Sequence, residues 1–192
     1  MIESRFPGVR LFQQSFGFAM TEAMVTIVIV AFGLLGIAGL VSRSFTTEVE
    51  GTQRTQAMML LQDMATRLEA NRGKAKSYVS GDTGVTCDST VADPLAKGDR
   101  CDWAQLLAGA NEKIDTQNAA VLVAAIGCVY ELDAFDRLYA ITVTWQGMTA
   151  GPEPLTAFAP NACGRDAFAA QKIPENQRRV MTLPVRLGNV GS

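Results

Sequence analysis

GFAMTEAMVTIVIVAFGLLGIAGLV, residues 17–41, is the stretch whose reading decides the fold. From Phe18 to Val41 the only charged residue is Glu22. A helix of ~24 residues rises roughly 36 Å, more than the ~30 Å hydrocarbon core of a bilayer, so the segment reads as a membrane span. Arg5 and Arg10 precede it against a single Glu3. That bias holds the N-terminus in the cytoplasm and sends the rest of the chain across. A secretory signal peptide has a shorter apolar core of about 7–15 residues, and Ala38, Gly39 and Ser42 offer only loose cleavage positions. An uncleaved single-pass anchor is the other simple reading. Glu22 argues against both. A charge at mid-membrane costs about 2.5–3.5 kcal/mol, less near the interface, and an anchor gains nothing from it. The cost is repaid if a cation meets the carboxylate away from water. Cleavage after Gly17 would provide one: Phe18 becomes a free N-terminal amine one helical turn from Glu22, and a neighbouring subunit's amine can reach the same carboxylate.

Composition narrows the function. The 192 residues suit one ordinary domain with an accessory segment. The formal net charge of -2 gives no basic surface for nucleic acid, and the chain has no histidine. That removes the commonest general base and metal ligand. Four cysteines, Cys87, Cys101, Cys128 and Cys163, all follow the apolar segment, and none forms a C-x-x-C pair. An even number without histidine suits two disulfides and an oxidising compartment, on the side opposite the N-terminus.

The residues Gly17-Phe18-Ala19-Met20-Thr21-Glu22, followed by the apolar run, resemble the signal of type IV prepilins. The resemblance implies cleavage after Gly17 by a prepilin peptidase, methylation of Phe18 as the new N-terminus, and docking between subunits through Glu22. Ala19-Met20-Thr21 stands where the family usually has Thr-Leu-Ile, with the spacing intact. Gly33-Leu34-Leu35-Gly36, Ala38-Gly39-Leu40, and then Ala57, Asp63-Met64, Arg67 and Ala70-Asn71 are similar to the minor pilins known as type IV pilus modification protein PilV. This likeness covers roughly the first 72 residues; the remainder fits in outline.

No proline interrupts residues 18–72, so one helix of roughly 80 Å is expected there. Its first half is apolar all round. In the second half Ala57, Leu60, Leu61, Met64 and Leu68 follow the helical repeat and form one stripe against a head. Glu50 with Arg54, and Asp63 with Arg67, are expected i,i+4 pairs, and Asn71-Arg72-Gly73 is the stop. Gly33, Gly36 and Gly39 read either as small residues that let helices approach or as a point of weakness, since glycine costs a helix about 1 kcal/mol relative to alanine.

The head should begin with a loop-rich stretch to about Asp102, bracketed by Cys87 and Cys101. A short helix follows over 102–110, with Asp102 as N-cap and Trp103, Leu106 and Leu107 facing inward. Residues 120–132 and 138–145 read as the strands of an antiparallel hairpin, turning at Asp133-Ala134-Phe135-Asp136. Residues 180–187 read as a third strand, which Pro184 moves to an edge or a bulge. Four cysteines allow three connectivities. The pairing preferred is Cys87–Cys101 with Cys128–Cys163, the second only as the remainder.

Other chemistry has simpler readings. Asp82, Asp88, Asp93, Asp99 and Asp102 suggest a calcium loop, but the spacing is not an EF-hand and a solvated loop suffices. Glu131, Asp133 and Asp136 could mimic a catalytic pair, yet turn formation explains them. Trp103 and Trp145 read as core. No catalytic residue, cofactor or metal is expected.

The expectation is an α+β, pilin-like chain: a 1–17 leader, an 18–41 membrane or filament-core helix, its amphipathic continuation over 42–72, and a 73–192 head with two disulfides. By resemblance it is a minor pilin, not an enzyme, held in the inner membrane with a periplasmic head and later in the pilus. Its partners would be the major pilin, other minor pilins, the prepilin peptidase and membrane lipid. Nucleic acid is not among them. A minor pseudopilin of type II secretion shares the signal and helix; the cysteines and the second helical block favour the pilus. A periplasmic binding module on a plain anchor is the rival that predicts no cut at Gly17.

Overall fold

The computed structural model describes residues 16–88, 90–109, 113–114, 117–118, 121–155 and 158–188, without the side chains of 16–19, 113–114 and 117–118. The expected leader therefore lies almost wholly outside the described residues. So do Ala110 and Ala120, the expected ends of a helix and a strand. The chain divides into one unit up to Phe45 and one from Thr46 onward.

Helix α1 spans Phe16–Ala70. Within the second unit its buried residues are Gln53, Ala57, Leu60, Leu61, Met64 and Leu68, the stripe its periodicity predicts with Gln53 added one turn earlier. Gln53 is a polar exception with a purpose. Its amide oxygen accepts from Trp145 Nε1 at 3.2 Å, and its amide nitrogen donates to the Val121 carbonyl at 3.4 Å. A 3₁₀ helix, Arg72–Tyr78, follows.

Helix α2, Pro94–Leu107, corrects the loop reading of this region. Its N-cap is Asp93, whose carboxylate accepts from Ala96 N at 2.8 Å, with Pro94 in the first turn. Proline suits that position because its missing N–H would have no helical partner there. Asp102 is thus not a cap but a residue inside the helix. Trp103 and Leu107 are buried and Leu106 is half-buried, as expected. Trp103 Nε1 donates to the Leu60 carbonyl at 2.9 Å, fastening α2 to α1.

Two short strands, β1 Lys113–Ile114 and β2 Gln117–Asn118, pair antiparallel. The main sheet has the order β3-β4-β5, all antiparallel. Its strands are β3 Val123–Asp133, β4 Leu138–Gln146 and β5 Arg178–Arg186. A register shift in β3 between Val123 and Ile126 holds Ala124 at φ 52°. Pro184 lies in β5, an edge strand, where a residue without N–H does least harm. The other edge is covered: Ser80 N donates to Val129 O and Val85 N to Gly127 O.

The alternation in β4 separates two buried layers, because both of its faces are covered. Tyr139, Ile141, Val143 and Trp145 join the α1 stripe, Trp103 and Leu107 in one core. Gly127 in β3 is what admits Trp103, since a Cβ there would lie 2.3 Å from the indole. On the opposite face Thr142 shares a 2.9 Å hydrogen bond with Thr182, and Thr144 donates to Arg179 O at 2.8 Å. Those bonds repay the burial of two hydroxyls. That face carries Cys128, bonded to Cys163, and is covered by Gly164, held at φ 68° against Ile126 and Thr144. Helix α3, Arg165–Ala170, follows and buries Phe168. Cys87 is bonded to Cys101.

Candidate assembly surface

Among the described residues one helix is long and apolar enough to cross a membrane. From Met20 to Val41 every side chain on it is exposed. Water does not tolerate such a surface in a stable protein, where contiguous apolar patches rarely exceed a few hundred Å². Thr26, whose hydroxyl donates to the Ala23 carbonyl at 2.9 Å, satisfies its polar group within the helix. Glu22 does not: among the described residues its carboxylate has no ion pair or hydrogen bond. Gly33, Gly36 and Gly39 have open space where a Cβ would sit, so no packing within the chain requires them. The backbone of Gly17 and Phe18 lies in the first turns of α1; their side chains are outside the described residues.

The second block of the sequence likeness has a local structural role. Asp63 and Arg67 lie along one edge of α1, and Asn71 follows just past its end, each four residues from the last. Arg67 reaches Asp63 at 2.8 Å, Asp99 at 3.1 Å and Asp102 at 3.6 Å, while Asn71 donates to Asp93 at 3.0 Å. Asp99 also accepts from Tyr78, whose hydroxyl is pushed up in pKa first by burial and then by that carboxylate. Of the aspartates considered for calcium, Asp99 and Asp102 thus join α2 to α1, and Asp93 joins it to Asn71. Asp82 accepts from Tyr130, and Asp88 caps the Thr90 N–H. Among the described residues no group of acids is placed to hold a metal. Likewise Asp133 accepts the Phe135 and Asp136 amides in the hairpin turn, Asp136 pairs with Arg186, and Glu131 pairs with Lys76 at 3.5 Å.

Glu50 departs from its expected partner Arg54. It accepts from Thr149 Oγ1 at 2.7 Å and lies 3.4 Å from Arg179. The Thr149 hydrogen bond, with help from Arg179, keeps its carboxyl below the usual range. Arg179 also donates to the carbonyls of Thr149 and Asn176. Gly147 and Gly151 wrap this guanidinium so closely that a Cβ on either would come within 3 Å of it. Its neighbour Arg178 is fully buried, bonded to both oxygens of Glu175 and to Cys163 O. That bonding, first of all, lowers the Glu175 pKa.

At the other end of the sheet a cleft of about 380 Å³ opens between residues 72–77 and the β3–β4 hairpin. Arg72, Lys74, Lys76 and Arg137 line it against one carboxylate, Glu131. Arg137, at φ 49°, donates to the carbonyls of Arg72 and Gly188. Sequence reading missed this cleft because its cations come from segments sixty residues apart.

A long N-terminal apolar helix, a small three-stranded antiparallel sheet and two disulfides define an α+β chain with, among the described residues, one helix long and apolar enough to cross a membrane. Comparison with family models, with curated proteins and with solved structures finds no match to it.

Proposed function

We propose that the chain is a minor type IV pilin of the PilV kind, a structural subunit and not an enzyme. It is inserted in the inner membrane, cut after Gly17, methylated at Phe18 and built into the pilus beside the major pilin and other minor pilins. One observation carries this reading: a carboxylate, Glu22, five positions beyond Gly17 and without a partner among the described residues, on a helix whose side chains from Met20 to Val41 are all exposed. Both features make sense if like helices surround this one in the filament. The apolar surface is then buried against neighbours, and the Phe18 amine of an adjacent subunit meets Glu22 in a setting poor in water, where a charge pair is strongest. The open space at Gly33, Gly36 and Gly39 allows close approach of those neighbours.

The test is the intact mass of the membrane-extracted protein. The expected result is loss of residues 1–17 and gain of one methyl group; a working protein that retains its initiator methionine would sink the reading. A second test is Glu22→Ala. Insertion should be unchanged, and recovery in sheared filaments should fall by ~10-fold or more, the equivalent of about 1.4 kcal/mol. Equal recovery of variant and wild type counts against it.

A further inference from the structure

Among the described residues the two most exposed large apolar side chains of the head are Phe135, 96% exposed, and Leu155, 76% exposed. Along the chain they flank opposite ends of β4. Phe135 lies in the turn before Leu138, where β4 begins, and the loop bearing Leu155 leaves Gln146, where β4 ends. Nine residues of strand separate these ends, roughly 30 Å. Phe135 follows Ala134, which lines the cleft of four cations and one carboxylate; of the two acids near it in the turn, Asp133 accepts turn amides and Asp136 pairs with Arg186. Leu155 follows Pro152-Glu153-Pro154, and Glu153 is the sole charged residue between Gly147 and Leu155. Glu153 is exposed and enters no ion pair or hydrogen bond among the described residues. Two flanking prolines restrict the segment to an extended form, which lowers the ordering cost of inserting it into a cleft. Its root is held by the Arg179, Thr149 and Glu50 contacts.

We propose that the cleft between residues 72–77 and the hairpin receives the Pro152–Leu155 segment of a second copy of this chain, Glu153 facing Lys74 and Lys76 and Leu155 facing Phe135. Donor and acceptor are different patches at opposite ends, so the contact is heterologous: each copy keeps one free cleft and one free segment, and association runs on as an open series unless it closes into a ring. The contact lies wholly in the head and does not depend on processing at Gly17 or on Glu22.

The experiment uses the full chain in detergent micelles, with oligomeric state followed by sedimentation against protein concentration. Wild type should form a concentration-dependent series that shortens as salt rises. Lys74→Glu with Lys76→Glu, or Glu153→Lys alone, should weaken association about ten-fold or more. An equal mixture of these two variants should regain a series of alternating copies, since the native segment of one fits the native cleft of the other and the two reversed faces complement each other. The chain carrying all three reversals should regain the series, which a merely misfolded head would not. The proposal is overturned if wild type stays at one chain per micelle. It is equally overturned if all variants associate alike, the result expected of contact through the apolar helix alone. It also fails if Glu153→Lys associates normally while only the cleft variant is impaired, which would make the occupant some other acidic chain.

Discussion

Between Met20 and Val41, helix α1 leaves residues such as Phe32 and Leu40 more than 70% exposed; between Gln53 and Leu68 the same helix buries six side chains completely or nearly so. The two halves differ both in pattern, apolar all round against a single stripe, and in what completes them. The later half finds Trp103, Ile141, Val143 and Trp145 within its own chain. Among the described residues the earlier half has no such cover, and its one acid, Glu22, has no partner. A segment that its own chain does not stabilise contributes nothing to the melting of the head, whatever it does elsewhere.

The largest effect expected from this contrast is at Leu61. Removing its fully buried side chain by Leu61→Ala should cost the head about 3 kcal/mol, from lost burial plus a cavity. Leu35→Ala, in the exposed half, should stay within ~0.5 kcal/mol. Chemical denaturation of the full chain, followed by tryptophan fluorescence, reads both, because Trp103 and Trp145 are in the head. Equal effects would erase the distinction between the halves.

Next comes Gly127→Ala. A methyl group there meets the Trp103 ring at 2.3 Å and Leu107 at 2.6 Å, and overpacking of this kind costs about 2 kcal/mol. Gly36→Ala has open space within the chain and should leave head stability unchanged. The same denaturation curves decide, and an unaffected Gly127→Ala would show that the indole can move away.

The smallest expected effect is at Glu175. Its folded-state pKa is lowered by hydrogen bonds from buried Arg178. The stabilisation it contributes is therefore complete above the unfolded glutamate value of about 4.3 and is lost as pH falls through the lower folded value. Glu175→Gln should cost about 1.5 kcal/mol at pH 7, and it should flatten the decline in stability below pH 5. A variant as acid-sensitive as wild type would assign that decline to other carboxylates.

The contrast within α1 was legible in the sequence because both its signals are local. An uninterrupted apolar run gives one half, and a 3.6-residue stripe gives the other. The three strands of the main sheet were legible for the same reason, within a few residues, with β5 over Arg178–Arg186 where 180–187 was expected; the short pair β1 and β2 was not. What escaped depends on remote partners. Pro94 and Gly98 look like loop residues, yet α2 forms around them because Asp93 caps it, Trp103 reaches Leu60, and Arg67 gathers its acids. The threonines of β4 suggest a solvent face; the loop from Cys163 onward buries them instead. Glu50 abandons a neighbour on its own helix for Thr149 and Arg179, about a hundred residues away and more. No periodicity encodes such an exchange. The cationic cleft was invisible for the same reason.

The two disulfides also bear on what a pull on this chain would do. Cys87–Cys101 and Cys128–Cys163 close sequence separations of 14 and 35 residues. At a maximum of ~3.4 Å per residue these loops withhold roughly 50 and 120 Å of slack from a polypeptide drawn out by its ends. The head therefore yields far less length under traction than its residue count would allow, and a reducing agent would release the remainder.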